Sequence, residues 1–252
     1  MNQEAIKNLI VAMADDALII GHRNSEWTGI GPLLEEDLAF SSMAQDKIGH
    51  AQALYDMLHQ HFGMPDADHL GFMRKENDFR CCQFVELPIG EYDFSLMRHF
   101  LASHADVIRC RMLEQSAFEP LAQFARKVRG ELRYHTFHAD VFVKQLSMGT
   151  EESKARMQQA LNYCMPFALG MFETVESEQA LVAENIFAGE AALKQQWIAK
   201  VQPMVESFGL TWTSEETSKV MNGGRKGFHT EYLKPLLDEM CEVVRTDETA
   251  EW

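Results

Sequence analysis

Two long helix-forming runs each set a histidine four residues after a carboxylate: Asp46-Lys47-Ile48-Gly49-His50 and Glu131-Leu132-Arg133-Tyr134-His135. Residues four apart on an α-helix lie on one face. Each histidine falls within an apolar stripe with steps of three or four. One stripe is Phe40, Met43, Lys47, His50, Leu54 and Leu58; the other is Leu121, Phe124, Val128, Leu132, His135, Ala139 and Phe142. Such spacing buries one face of a helix against other helices, whereas a strand would need alternation with period two. The chain is therefore expected to be all-α, with both imidazoles pointing inward.

The rest of the sequence repeats the pattern. A first helix is predicted over about 3–22, where Asp16 interrupts the stripe Ile6, Leu9, Met13 and Ile20. Pro32 opens a helix over about 33–62, closed by Gly63 and Pro65. Residues 64–93 lose the helical period, and Cys81 to Pro88 reads as extended. Helices follow over about 94–116, 119–146, 151–182, 190–207 and 229–245. A connection as long as 64–93 between two helix pairs fits the crossover of a ferritin-like four-helix bundle. The expectation is one domain over 1–252, with a bundle core at about 3–147 and additional C-terminal helices at about 151–245.

A net charge of −15 repels phosphate backbones, so nucleic acid and anionic membranes are poor partners. No apolar run approaches the roughly 20 residues that span a bilayer. Met1-Asn2-Gln3-Glu4 lacks the basic and apolar regions of a signal peptide. The five cysteines are odd in number, form no C-x-x-C, and include an adjacent pair, Cys81-Cys82. They read as buried packing thiols of a reduced, cytoplasmic protein.

A functional di-iron bundle draws one Glu from each of two helices and a Glu-x-x-His from each of the other two. Here the positions three residues before His50 and His135 hold Lys47 and Leu132. The first helix offers Asp16, with Asp15 as alternative, and the third offers Ser103 or Asp106. At ~4 Å a unit charge repels a dication by about 8 kcal/mol at an effective dielectric of 20, so Lys47 opposes metal binding. The lysine is expected to pair with Asp16 across the bundle, with His50 in the same network. Asp46 and Glu131 read either as acceptors that orient the imidazoles or as simple i,i+4 helix pairs. Taken singly, His50 and His135 read as satisfied core histidines. The seven positions therefore form a vestigial metal site with no catalytic residue.

Other motifs carry less. His59, His61 and His69 read as a polar helix end and loop rather than a zinc site. Gly223-Gly224-Arg225-Lys226-Gly227 reads as a turn before a helix capped near Thr230, or as an anion-binding nest or interface loop. Neither a nucleotide-binding fingerprint nor a Ser-His-Asp arrangement is found.

At these residues the chain resembles the α-type subunits of phenylacetyl-CoA epoxidase, the non-catalytic C-type more closely than the catalytic A-type. The resemblance runs over nearly the whole chain. It rests on Arg23-Asn24-Ser25-Glu26-Trp27, Pro32 to Asp37, Asp46 to Ala51, and Val85-Glu86-Leu87-Pro88-Ile89-Gly90. It continues through Glu131 to His135, Arg156-Met157-Gln158-Gln159-Ala160, and the C-type marker Gly223 to Glu231. Against the catalytic patterns Gln-Asp-Glu-x-Gly-His and Glu-Glu-x-x-His, Lys47 and Leu132 depart, while Gln45, Asp46, Gly49, His50, Glu131 and His135 match. His50 stands where C-type subunits commonly have glutamine.

The resemblance implies a ferritin-like fold and a structural role beside a catalytic A-type subunit and further subunits. The di-iron centre and the CoA thioester belong to that catalytic partner, and no cofactor is expected in this chain. Two other readings stand beside it. One is an independent di-metal oxidase using Asp16, His50, Asp106 and His135. The other is a helical homodimer, formed when the chain is alone, with a regulatory role.

Overall fold

The computed structural model describes residues 1–213 and 219–247, and among these every regular element is helical. Four long helices make the bundle: α1 (Gln3–Ser25), α2 (Leu34–Phe62), α5 (Tyr92–Leu113) and α6 (Glu119–Ser147). α1 packs on α2, α5 on α6, and α2 and α6 face each other across the centre. The crossover between the two pairs carries short helices α3 (Ala67–Phe72) and α4 (Gln83–Glu86). Behind α5 lie α7 (Glu151–Gly170) and α9 (Glu190–Ser207), while α8 (Glu178–Ala183) packs on α1 and α10 (Leu233–Met240) follows in the chain. This is the ferritin-like all-α architecture that the stripes predict. No helix among the described residues is long and apolar enough to cross a membrane.

Local chemistry sets the ends. The Asn2 side chain accepts a hydrogen bond from the Ala5 N–H and caps α1. α2 stops at Gly63, which takes the left-handed conformation at φ 64°. Pro120 sits in the first turn of α6, where its missing N–H costs nothing. One buried apolar cluster runs from Ala5 to Leu237, joining the bundle to the C-terminal helices. A smaller one, of Trp27, Ala39, Phe40 and Met43, is closed by the Tyr92 ring edge-on to Trp27 at 5.9 Å.

Three local expectations fail, and the C-terminal tail explains two of them. The segment after Cys82 is a helical turn, not extended, because the Cys82 N–H donates to Asp16 (2.7 Å) and starts it. The predicted helix over 151–182 breaks after Gly170. There the Met221 carbonyl lies where a Cβ on residue 170 would sit, 1.9 Å away. The chain resumes helix at α8 only after Ser177 has passed through the left-handed region (φ 63°). The last helix starts at Leu233 rather than near 229, since Thr230 bonds Glu86 instead of serving as a helix cap. Hydrophobic period cannot report contacts made 50 or more residues away.

Candidate functional site at the bundle centre

The four bundle helices converge on a cavity of about 50 Å³, room for a few water-sized molecules. α1 supplies Asp16, α2 supplies Lys47 and His50, α5 supplies Asp106, and α6 supplies Leu132. Met13, Ile20, Leu54, Phe124 and Val128 add apolar wall, and Arg109, which pairs with Glu190, lines the cavity as a second cation.

Lys47 is buried, as expected, but its ammonium bonds the carboxylate of Asp106 on α5, not Asp16. Asp16 is taken by Arg225, whose guanidinium grips both carboxylate oxygens at 2.8 and 2.6 Å. Lys47 extends from α2 towards α5, and the tail brings a longer, forked cation to α1. Asp15, the alternative residue, is also engaged. It accepts from Tyr55 Oη (2.6 Å), the Arg80 N–H (2.6 Å) and the guanidinium of Arg74.

The two carboxylate–histidine segments are crossed rather than paired within each helix. His50 Nε2 meets Glu131 Oε2 at 2.7 Å, and His135 Nε2 meets Asp46 Oδ2 at 3.0 Å. Four residues back on one antiparallel helix face four residues forward on the other, so the two pairs are reciprocal. The imidazoles lie nearly parallel, with centroids 6.5 Å apart. Burial, then the Lys47 charge, pulls the pKa of His50 and His135 below the ordinary imidazole value. With the rings held neutral, each Nε2–H donates to the carboxylate on the opposite helix, His50 to Glu131 and His135 to Asp46. Asp46 in turn is raised by burial and by the nearby Glu131 carboxylate.

A longer polar network extends from His135. The His99 Nε2–H donates to the His135 carbonyl (3.1 Å), and the Ser103 hydroxyl donates to His99 Nδ1 (3.2 Å). This makes Ser103 a support for an imidazole rather than a group facing the cavity. His138 meets both oxygens of Glu36 at 3.0 and 3.1 Å, and Tyr92 donates to the same carboxylate. His104 pairs with Asp140 at 2.8 Å. The rings of His50, His135, His99 and His138 follow one another at 6.5, 5.8 and 5.7 Å. His138 lies three residues after His135 on the same apolar stripe, a signal that could have revealed it. Nothing local marks Glu36 or Asp140 as the acceptors of these rings.

Two irons need a set of bridging and terminal carboxylates with open positions between them. The donor set here does not fit that need. A buried ammonium and an alkyl group stand three residues before His50 and His135, Asp106 neutralises the ammonium, and Asp16 neutralises a guanidinium. His135 Nδ1 and His138 Nδ1 are buried without a hydrogen-bond partner, two isolated imidazole lone pairs. The four positions of the di-metal oxidase reading, Asp16, His50, Asp106 and His135, are each held by another side chain.

Gly223, Gly224 and Arg225 of the tail loop are buried, while Lys226 and Phe228 are exposed. The N–H groups of Gly223 (2.7 Å) and Arg225 (3.4 Å) hold Glu173 Oε2, so the nest carries this protein's own carboxylate. Gly224 is required because a Cβ there would lie 2.1 Å from the Cys81 carbonyl. The remaining histidine motif lies apart from the bundle centre. His59 Nδ1 bonds the Met64 carbonyl, His61 abuts Phe118, and all five cysteines are free and buried.

The profile of the phenylacetic acid catabolic protein family matches residues 1–252. The chain belongs to this family. Among curated proteins, the C subunit of 1,2-phenylacetyl-CoA epoxidase from Escherichia coli (strain K12) is 31% identical over 240 residues, covering 95% of this chain and 96% of that relative. In this member of the family, Lys47 sets the charge at the centre of the bundle. Replacing it with methionine is expected to raise the pKa of His50, His99 and His135 towards the ordinary imidazole value, because its charge depresses all three. Ring-proton chemical shifts followed against pH would read this, and unchanged titrations would refute the assignment. The loss of stability should be modest, since the abandoned Asp106 side chain is 35% exposed.

Proposed function

We propose that this chain is the non-catalytic C-type subunit of a multicomponent 1,2-phenylacetyl-CoA epoxidase in aerobic phenylacetate catabolism. It would stabilise a catalytic A-type subunit that holds the di-iron centre and the CoA thioester. One observation carries the reading: the bundle centre is neutralised by Lys47–Asp106 and Arg225–Asp16, where an oxygen-activating bundle would place metal. The bundle centre itself is then without a di-iron cofactor, and its interior ion pairs tie α2 to α5 and the C-terminal tail to α1.

A helical partner has exposed apolar surface to cover. Tyr134, Phe137 and Val141 lie three and four apart on the outside of α6, and Leu34 and Leu38 on the first turns of α2; all five are exposed. The His138–Glu36 contact joins the same two stretches of helix. Two bundles of similar shape can bury such faces pseudo-symmetrically, as homodimers do.

The test is co-expression with an A-type subunit, followed by size analysis and an epoxidation assay with and without this chain. The expected result is co-elution, with activity of the A-type subunit lost or short-lived when this chain is omitted. Phe137→Glu together with Leu38→Glu should abolish co-elution while leaving helical content unchanged. Failure of the wild-type chains to co-elute, or about two irons bound at the bundle centre of this chain alone, would overturn the proposal.

A further inference from the structure

Away from the bundle centre, Cys81, Glu86 and His229 bring three different donor atoms together in the interior. Cys81 Sγ lies 3.7 Å from Glu86 Oε1 and 3.9 Å from His229 Nδ1, and these last two atoms are 2.7 Å apart. Cys81 and Glu86 are fully buried, as is the imidazole of His229.

One contact in this cluster lacks a hydrogen. His229 Nε2 lies 3.1 Å from the Phe79 carbonyl, which can only accept, so Nε2 carries the ring hydrogen. Nδ1 then presents a lone pair to Glu86 Oε1, itself an acceptor. Glu86 Oε2 already accepts from the Thr230 N–H (2.6 Å) and hydroxyl (2.7 Å). Two lone pairs at 2.7 Å require a cation between them. That cation is either one shared proton or a metal ion.

We propose that Cys81, Glu86 and His229 bind a single late first-row divalent ion of the Zn²⁺ or Co²⁺ class. Thiolate, imidazole and carboxylate are the donor types such ions select. A ring N–H given to a backbone carbonyl is the usual outer support of a metal-ligating histidine, here supplied by Phe79. The charge also balances. The ion displaces the thiol proton and the proton shared by Glu86 and His229, both to solvent, so the buried cluster keeps the same net charge. Metal–donor bonds of about 2.0–2.3 Å place tetrahedral donors roughly 3.3–3.6 Å apart. Nδ1 and Oε1 must separate by about half an ångström, while the sulfur closes by a few tenths. The site is held from outside: Asp15 and Asp16 accept the N–H groups of Arg80 and Cys82, the residues on either side of Cys81.

The experiment uses the full-length chain expressed in Co²⁺-supplemented medium, so that the ion can enter during folding, and in parallel the chelator-stripped chain titrated with Co²⁺. One Co²⁺ per chain with a sulfur-to-cobalt absorption band is expected, displaced by Zn²⁺, with a rise in melting temperature. Cys81→Ser exchanges one atom and preserves hydrogen bonding. It should lose the band and weaken binding by more than the roughly 10–100-fold that removing an outer support costs. Cys110→Ser should retain both. His229→Gln is informative if circular dichroism shows it folded, and Cys81→Ser serves if it is not. The proposal is overturned if no sulfur–cobalt band forms in either preparation, in which case the shared proton occupies the gap. It is equally overturned if Cys81→Ser keeps the band.

Discussion

Arg225→Met is expected to cost about 3–5 kcal/mol of folding stability, the loss typical of removing one partner of a buried ion pair. The guanidinium is buried and does three things at once. It neutralises Asp16 through two hydrogen bonds, donates to the Arg80 carbonyl at 2.7 Å, and faces the carbonyls of Ala12 and Met171 at 3.3 and 3.4 Å. Methionine fills similar volume but leaves a carboxylate and these carbonyls without their donor. The tail from Gly223 to Thr230 would lose its main anchor while keeping the Glu173 and Glu86 contacts. Adding Asp16→Asn should recover part of the loss, because the stranded charge is then removed. Urea unfolding of the two single variants and the double variant reads the coupling. A wild-type midpoint in Arg225→Met would show that Asp16 needs no cation.

The second large effect is on pH. His22, His50, His99 and His135 are all pulled below the ordinary imidazole value, first by burial. In the unfolded chain each returns to about 6.5. Above that pH neither state protonates them and they leave stability unchanged. Below it the unfolded chain takes up protons that the folded bundle refuses, so stability falls as pH falls. With four such rings the slope approaches about 5 kcal/mol per pH unit below pH 6. Asp46, raised by burial, opposes this weakly nearer its own range. Urea unfolding between pH 7.5 and 5 should show the decline, and His135→Asn should make it shallower by about one proton. A flat profile over that range would mean that the buried rings are charged in the fold.

Much of the fold was legible because hydrophobic period is a local property. The stripes through Phe40–Leu58 and Leu121–Phe142 set two bundle helices to within a residue or so. The breaks at Gly170 and Gln83–Glu86 were not legible, since they answer to the Met221 carbonyl and the Asp16 carboxylate, both distant in sequence.

The candidate site divides in the same way. Lys47 and Leu132 are read directly at positions three before a histidine, and their chemistry follows from residue type alone. Which carboxylate meets Lys47 does not, because Asp16 and Asp106 are equivalent on paper. The tail decides it by delivering Arg225 to Asp16, and α5 supplies Asp106 instead. The exchange of partners between His50–Glu131 and His135–Asp46 likewise needs two antiparallel helices at contact distance.

The sequence by itself determined an all-helical bundle, two inward histidines and a cation at its centre, because each follows from spacing along one helix. Only the tertiary structure decided the partners: which acid neutralises which base, and that Glu86, Cys81 and His229 meet at all. Ion pairing and ligation depend on distances of a few ångströms between segments far apart in the chain, and those distances exist only once the helices have packed.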